Sequence, residues 1–280
     1  MIDSYLQKKI DAALHLLGSA AKQAKDNIIE LSYSGGKDSD VILELAKMAS
    51  INVRPIYKNT TIDPPGTIAH VLSKNVEIVR SKLSFAQIIQ RKGFPNKLRR
   101  FCCAVLKEYK IEDMSIQGIR RCESVKRMAR YHEPQICRLY GNSKNKCVSV
   151  FLPILDWSNE DIRKFIEYRN IQCHKLYYDE AGNFHVERRL GCMACPLQGD
   201  NGLHDFKENP KLVKFWLRNG EIWWKNHELR NTKEIFGNHY DVFVRNVFFQ
   251  NWQSYEAATN GMFGKIDSKQ FLEEYFKIKL

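Results

Sequence analysis

Leu31-Ser-Tyr-Ser-Gly-Gly-Lys-Asp-Ser-Asp40 is the stretch of sequence that decides the fold of this chain. An apolar, strand-like segment precedes it, and the residues after it have the apolar spacing of a helix. Two glycines after a strand let the backbone turn sharply and bring its N–H groups close to an anion. The helix that follows points its positive N-terminal end at the same place. The stretch therefore predicts a phosphate-binding loop, with an ordinary helix-capping turn as the alternative.

The composition is that of a globular protein with an excess of positive charge. The 280 residues are 44% apolar and 27% charged, and 44 Lys and Arg against 32 Asp and Glu give a net charge of +12. Such a surface favours polyanions, so a nucleotide or a nucleic acid is an expected partner. No apolar stretch is as long as a membrane span and the N-terminus lacks a signal-peptide pattern, so we expect a cytoplasmic protein without a membrane partner. A protein partner and a homo-oligomer both stay open.

The order of strands and helices predicts the fold class. Strand-like segments at 52–58, 76–79, 115–119 and 148–152 alternate with helical patterns, among them one at 97–113. This alternation indicates an α/β protein with a mostly parallel sheet that has helices on both faces. From about residue 199 the chain is rich in Trp and Phe at helical spacing, which predicts three or four helices with most of these aromatics in a core. We therefore expect a nucleotide-binding domain with the cysteine site at 1–198 and a helical C-terminal extension at 199–280.

Four of the eight cysteines form two close pairs. Cys102 and Cys103 are adjacent, and Cys192 and Cys195 have the Cys-x-x-Cys spacing. Four thiolates suit either a tetrahedral zinc ion or a [4Fe–4S] cluster. Adjacent side chains on a helix diverge by about 100°, which suits the separated iron corners of a cluster better than one small ion, so we favour the cluster and keep zinc as the alternative. A disulfide framework is not expected, and the remaining cysteines are expected in the core: Cys122, Cys137, Cys147 and Cys173.

Five motifs of the chain resemble those of a known enzyme family. Ser34-Gly-Gly-Lys-Asp-Ser39 is similar to the SGG-x-DS pyrophosphatase loop of the adenine-nucleotide α-hydrolase-like superfamily. The other four resemble motifs of the phosphoadenylyl-sulfate reductase family and follow in that family's order. They are Arg100-Phe-Cys-Cys-Ala-Val-Leu-Lys107, Gly118-Ile-Arg-Arg-Cys-Glu-Ser124, Pro153-Ile-Leu-Asp-Trp-Ser158 and Gly191-Cys-Met-Ala-Cys-Pro196. The two cysteine pairs are similar to the family's iron–sulfur branch, which includes adenylyl-sulfate reductases and DNA phosphorothioation ATPases.

The resemblance implies a Rossmann-like fold, an adenine nucleotide (ATP or adenylyl sulfate) and a [4Fe–4S] cluster. By this likeness the cluster ligands are Cys102, Cys103, Cys192 and Cys195. The nucleotide-binding residues would be Ser34, Gly35, Gly36, Asp38, Ser39, Thr60 and Ser124. A reaction at an α-phosphate, or at the sulfur of an adenylyl sulfate, requires that negative charge be neutralised. The residues expected to act in catalysis are Lys37, Asp38, Lys107 and Arg120, with Mg²⁺ as a helper if ATP is the substrate.

The chain departs from the reductases in its C-terminal part. Sulfonucleotide reductases have a nucleophilic cysteine in a C-terminal Glu-Cys-Gly-Leu-His-like motif, whereas this chain has no cysteine after Cys195. Covalent catalysis of that kind requires an activated thiolate. We therefore expect an ATP pyrophosphatase of the sulfur-transfer type. One alternative is a sulfonucleotide reductase with a displaced or partner-supplied thiol, and another is a non-catalytic nucleotide-binding subunit of a nucleic-acid-associated complex.

Overall fold

A computed structural model describes residues 3–25, 27–140, 147–228, 230–249, 254–256 and 267–280. The chain divides into two compact units, each made of segments that are not contiguous in sequence. Unit 1 comprises residues 1–59, 63–80 and 108–191, and unit 2 comprises residues 60–62, 81–107 and 192–280. The sequence predicted one boundary after residue 198. The units differ from that division because the apolar side chains of 81–107 pack with those of the C-terminal helices.

Unit 1 is built on a six-stranded sheet. Its strands are β1 (Ile29–Tyr33), β2 (Val53–Asn59), β3 (Glu77–Arg80), β4 (Met114–Gln117), β5 (Gln135–Leu139) and β6 (Cys147–Phe151). The strand order is β3-β2-β1-β4-β6-β5, and neighbours are parallel except for the antiparallel pair of β5 and β6. β1 lies between two parallel neighbours and is buried along almost its whole length, which explains the apolar run that predicted it.

Helices connect the strands and form most of unit 2. In chain order they are α1 (Ser4–Ala24), α2 (Lys37–Met48), α3 (Thr67–Ser73), α4 (Phe85–Lys92), α5 (Phe101–Leu106), α6 (Val125–Arg130), α7 (Asn159–Arg169), α8 (Asp200–Glu208), α9 (Pro210–Asn226), α10 (Arg230–Ile235), α11 (His239–Phe243) and α12 (Ser268–Phe276). Short 3₁₀ turns lie at Arg121–Glu123, Lys175–Tyr177 and Pro196–Gln198, and a π-helical segment at Val244–Phe249. In the described part of the chain no helix is both long and apolar enough to cross a bilayer. The predicted fold class, a mostly parallel α/β sheet with a helical C-terminal region, is confirmed.

The main core of unit 1 lies where α1, α2 and α7 pack with the sheet. The apolar spacing of α1 buries Leu6, Ile10 and Leu17, as an amphipathic helix requires. Ser158 begins α7 with a capping box, in which its hydroxyl accepts the Asp161 N–H and the Asp161 carboxylate accepts the Ser158 N–H. The central strands and the loop after β1 are therefore fixed by well-packed neighbours.

Aromatic side chains form the core of unit 2, as the sequence predicted. Trp216 of α9 stacks on Phe94 with ring centroids 6.4 Å apart, and Phe206 and Phe243 meet Trp216 edge to face. The C-terminal region contains α8 to α12, which are more helices than the three or four predicted. One additional helix, α9, begins at Pro210 directly after the end of α8, because proline suits the first helical turn.

The predicted helix at 97–113 is wrong in extent, because only Phe101–Leu106 is helical. Before it, the side-chain Oδ1 of Asn96 accepts hydrogen bonds from the N–H groups of Leu98 and Arg99 and forms a turn instead. After it, Lys110 has a φ of +45°, which no helix continues through. These local hydrogen bonds override the helical pattern.

Three cysteines differ from the expectation of unpaired core residues. Cys137 on β5 and Cys147 on β6 form a disulfide, with Cα atoms 5.6 Å apart. The antiparallel pairing of these strands brings the two residues together, and nothing local in the sequence indicates it. Cys122 is exposed rather than in the core, whereas Cys173 is buried as predicted.

Candidate nucleotide site and cysteine site

The loop from residue 34 to 36 joins β1 to α2 and turns sharply at Gly35. Gly35 has a φ of +78°, and a Cβ atom there would lie 3.2 Å from side-chain atoms of Leu190 and Thr67. The left-handed backbone and the close packing both require glycine at this position. Gly36 is the N-cap of α2 and offers no side chain, so the free N–H groups of the first turn depend on other partners.

Hydroxyl groups surround the first turn of α2. The Ser39 hydroxyl donates to the carbonyl oxygen of Gly36 over 2.6 Å, and the Ser34 hydroxyl lies 3.3 Å from that of Ser39. The phenol oxygen of Tyr177 accepts a hydrogen bond of 3.2 Å from the backbone N–H of Lys37. The positive end of α2 is thus lined by small polar groups, which is the environment that an anion prefers.

Two buried cations flank Asp38 at the start of α2. Lys37 is 2% exposed and Arg120 is 1% exposed. Lys37 Nζ lies 3.3 Å from Asp38 Oδ2, and Arg120 Nε lies 2.7 Å from Asp38 Oδ1. The second pair is close but not aligned as a hydrogen bond, so both of its atoms are buried without a hydrogen-bond partner. Burial lowers the pKa of Lys37; the Asp38 carboxylate opposes this shift and Arg120 adds to it.

Arg120 joins two of the predicted motifs. One of its terminal nitrogens, Nη1, donates to the Trp157 carbonyl oxygen over 3.3 Å and to Cys122 Sγ over 3.1 Å. The other, Nη2, donates to Asn159 Oδ1 over 3.0 Å. The motif at 118–124 and the motif at 153–158 therefore meet at one guanidinium, which also faces Asp38.

Three further residues that the sequence assigned to the site are Ser124, Thr60 and Lys107. Ser124 is the N-cap of α6, where its hydroxyl accepts the N–H of Arg127 over 3.2 Å. Thr60 and Lys107 belong to unit 2, the unit of the paired cysteines. The roles of these three residues at a nucleotide stay predictions.

Sequence reasoning missed Tyr177, whose phenol caps the Lys37 N–H. It also missed a buried network around Asp40, one turn into α2. The Asp40 carboxylate accepts a hydrogen bond from Tyr33 at the end of β1, and His70 Nε2 on α3 lies 3.1 Å from both of its oxygens. This network connects β1, α2 and α3 next to the loop at 34–36. No local pattern predicts it, because the three polar side chains come from separate elements.

The four cysteines predicted as ligands all belong to unit 2. α5 carries Cys102 and Cys103 side by side, while Cys192 and Cys195 flank Ala194, whose φ is +54°. All four side chains are partly buried. The pKa of Cys102 is raised by a hydrogen bond with Cys103, by burial and by the charges of the other three thiolates.

Neighbouring segments of unit 2 hold the turn at 192–195. The Ala194 N–H donates to Asp205 Oδ2 over 2.7 Å, and Cys192 Sγ lies 3.5 Å from the Thr60 hydroxyl to which it donates. Among the residues that the structure describes, no group of three or more Cys, His, Asp or Glu side chains is placed so that it could hold a metal ion. By donor type alone, four thiolates suit a cluster or a zinc ion.

Residues 28–198 match the family model of the phosphoadenosine phosphosulfate reductase domain. The chain belongs to this family. The matched range of the reductase-family domain includes the glycine loop, Arg120 and all four paired cysteines, so the family predicted from five motifs is confirmed. A curated relative, the uncharacterized protein MJ0973 of Methanocaldococcus jannaschii, is 31% identical over 209 residues, which are 69% of this chain and 47% of the relative. The chain spans about half the length of that relative.

Two solved structures are similar to the reductase-family domain at low sequence identity. The first is the U34-tRNA thiolase NcsA from Methanococcus maripaludis with its [4Fe–4S] cluster, with a TM-score of 0.41 and 16% identity over 80% of this chain and 82% of that chain. The second is the NH3-dependent NAD synthetase from Campylobacter jejuni, with a TM-score of 0.42 and 18% identity over 79% of this chain and 95% of that chain.

Proposed function

We propose that this protein is an enzyme that binds ATP at the glycine loop, acts at the α-phosphate and releases pyrophosphate, as an activating step for sulfur transfer. The observation that carries the proposal is the pair of buried cations, Lys37 and Arg120, on either side of Asp38 at the N-terminus of α2. Removing two cations from water is costly unless anions compensate them, and Asp38 supplies one negative charge for both. A nucleotide phosphate at this place would supply the rest.

The same residues suit the chemistry of α-phosphate attack. Negative charge builds up on the leaving pyrophosphate, and fixed cations and helix N–H groups stabilise it without reorganising. Lys37 and Arg120 would neutralise that charge. Mg²⁺ that accompanies ATP would find a carboxylate ligand in Asp38, since Mg²⁺ in nucleotide sites is held by one or two carboxylates and the phosphates.

We also propose that Cys102, Cys103, Cys192 and Cys195 hold a [4Fe–4S] cluster, with zinc as the alternative metal. The support is the set of four thiolate donors and the placement of both cysteine pairs in unit 2. When bound, a cluster would supply one-electron redox chemistry and a covalent connection between α5 and the turn at 192–195. We take the acceptor of the adenylyl group to be a separate molecule. The net charge of +12 favours a nucleic acid as that acceptor.

The test is pyrophosphate release from ATP by protein purified without oxygen, with its bound metal retained. Arg120→Gln removes a cation that faces the leaving group, and we expect the rate to fall about 100-fold. Lys47→Gln is the control, because Lys47 lies on the same helix with its side chain 61% exposed, and its rate should match that of the wild type. Binding of ATP without any pyrophosphate release, in the presence of candidate nucleic-acid acceptors, would overturn the proposal in favour of a non-catalytic nucleotide-binding subunit.

One observation favours a second candidate, a sulfonucleotide reductase with a displaced thiol. Cys122 is exposed, and its Sγ lies 3.1 Å from Arg120 Nη1 at the edge of the same site. A reductase of this kind requires a nucleophilic cysteine within reach of the site. Release of sulfite from adenylyl sulfate and a thiol, abolished by Cys122→Ser, would support this candidate.

A further inference from the structure

Four cations of unit 1 act on one another near the start of α2. Burial lowers the pKa of Arg127, and the positive charges of Arg189 and Arg120 lower it further. Lys37 Nζ donates to the carbonyl oxygen of Arg188 over 3.3 Å, directly beside Arg189 in the chain. Like charges near one another repel unless an anion lies among them. The sequence predictions included Lys37 and Arg120 but not Arg127 or Arg189.

Glu123 contacts both of the additional arginines, Arg127 and Arg189. Arg127 on α6 forms an ion pair with the Glu123 carboxylate, and Arg189 Nη2 donates to the Glu123 carbonyl oxygen over 2.7 Å. The Glu123 carboxylate also accepts a hydrogen bond of 3.4 Å from the backbone N–H of Arg120. Arg127 and Arg189 therefore contact the same residue, Glu123, that the backbone of Arg120 contacts.

The charges of this group do not balance. It holds four cations and the carboxylates of Asp38 and Glu123, which leaves two positive charges in excess. The two inner cations are almost fully buried, whereas the Arg127 side chain is 38% exposed and Arg189 is exposed. The outer pair is therefore open to a ligand from solvent, and a group with at least two negative charges is the partner that balances the excess.

We infer that Arg127 and Arg189 form, with Lys37 and Arg120, a subsite for the anionic group that leaves the α-phosphate. The inference rests on the proposed function, under which that group is the pyrophosphate of ATP. The sulfate of an adenylyl sulfate would offer similar tetrahedral oxygens with less charge. Guanidinium groups suit both, because their planar N–H pairs match the oxygens of such anions.

The test is isothermal titration of the full chain with inorganic pyrophosphate, sulfate, AMP and ATP. Arg127→Gln and Arg189→Gln each remove a charge-assisted hydrogen bond, so we expect each to weaken pyrophosphate binding by about tenfold or more. AMP lacks the leaving group, and its affinity should stay the same in both variants. Arg130→Gln is the matched control, because Arg130 is exposed on the same helix with its guanidinium over the Tyr131 ring at 5.8 Å.

The outcomes separate this inference from the function on which it rests. Unchanged pyrophosphate binding in both variants overturns the subsite and leaves the proposed function intact, and so does an equal loss of AMP binding. Sulfate that binds as tightly as pyrophosphate, and is weakened by the same variants, overturns pyrophosphate as the ligand in favour of an adenylyl sulfate. A wild-type chain that binds neither pyrophosphate nor ATP overturns both. Thermal melting checks each fold, and Arg127→Lys and Arg189→Lys, which keep the charge, should lose less affinity.

Discussion

Gly118 lies where β4 passes the start of α2, and a Cβ atom on it would be 2.9 Å from the backbone carbonyl oxygen of Asp38. A backbone atom cannot rotate away as a side chain can, so Gly118→Ala must shift the loop or the strand. We expect a loss of about 1–3 kcal/mol in the free energy of unfolding, with weaker ATP binding. Urea unfolding and titration with ATP measure the two effects.

The matched control is Gly18→Ala. Gly18 lies inside α1, and a Cβ atom on it would have no atom within 4 Å apart from its chain neighbours and the backbone of its own helix. Alanine favours a helix over glycine, so this variant should be more stable by about 0.5–1 kcal/mol. Equal effects of the two substitutions would show that the close approach of Gly118 to Asp38 has no energetic weight.

His174 makes folding of unit 1 sensitive to acid. Its Nδ1 accepts the N–H of Leu176 over 3.1 Å, and its Nε2 is buried without a hydrogen-bond partner. Burial, together with the charge of His70, lowers its pKa from 6.5 to about 4. The unfolded chain therefore binds the proton first, so the contribution of neutral His174 is complete above pH 6.5 and is lost as the pH falls toward about 4.

Urea midpoints measured at several pH values between 4 and 7 test this prediction. His174→Asn retains an acceptor for the Leu176 N–H but does not titrate in this range. We expect its stability to fall less steeply with acid than that of the wild type. Parallel curves for the two proteins would contradict the assignment of the acid sensitivity to His174.

At the scale of single elements, a serine with a capping box begins one helix in each unit. Ser158 begins α7 in unit 1 and Ser84 begins α4 in unit 2, each with a capping box. Replacing either serine by alanine removes an N-cap and should cost about 1 kcal/mol. Hydrogen exchange, resolved by peptide, should speed up in α7 for Ser158→Ala and in α4 for Ser84→Ala. Faster exchange in both helices from one substitution would contradict a local effect.

Elements whose signals are local were predictable. The strand-like segments predicted at 52–58 and 148–152 are set by neighbouring residues, and the structure has β2 and β6 within one residue of them. The predicted helix at 97–113 failed because the turn made by Asn96 depends on hydrogen bonds that periodicity does not encode.

The residues of the candidate site also fall into two groups, those that a local motif reveals and those that only the tertiary fold brings together. Ser34 to Ser39 are one continuous stretch across the loop and the start of α2, so a local motif was sufficient to single them out. Tyr177 reaches the start of α2 from a segment far along the chain, and only the tertiary fold brings it there. The pairing of Cys137 with Cys147 is likewise a product of strand register, which the sequence alone does not specify.

At the scale of the whole molecule, the cysteine site joins parts of unit 2 that are far apart in sequence. A metal bound by Cys102, Cys103, Cys192 and Cys195 would close a long loop, which restricts the unfolded chain. We expect protein purified without oxygen to contain about four iron and four sulfide per chain. Cys192→Ser should lose them and should lower protection from hydrogen exchange in α9 of unit 2, while α7 of unit 1 stays protected.

Cys173→Ser is the control, because Cys173 is buried in unit 1 and is not a predicted ligand. It should retain its iron. Zinc instead of iron in an oxygen-free preparation would show that the site binds a zinc ion and not a cluster. Full metal content in the Cys192→Ser variant would remove Cys192 from the ligand set.

The interleaving of the two units also governs how the chain can be made. The polypeptide passes from one unit to the other after residues 59, 62, 80, 107 and 191. A ribosome that has synthesised the glycine loop and β2 must still extend the nascent chain to β6 before the sheet has all of its strands. Premature termination before residue 191 therefore leaves both units incomplete, and exposed apolar strands of that kind are the usual clients of chaperones.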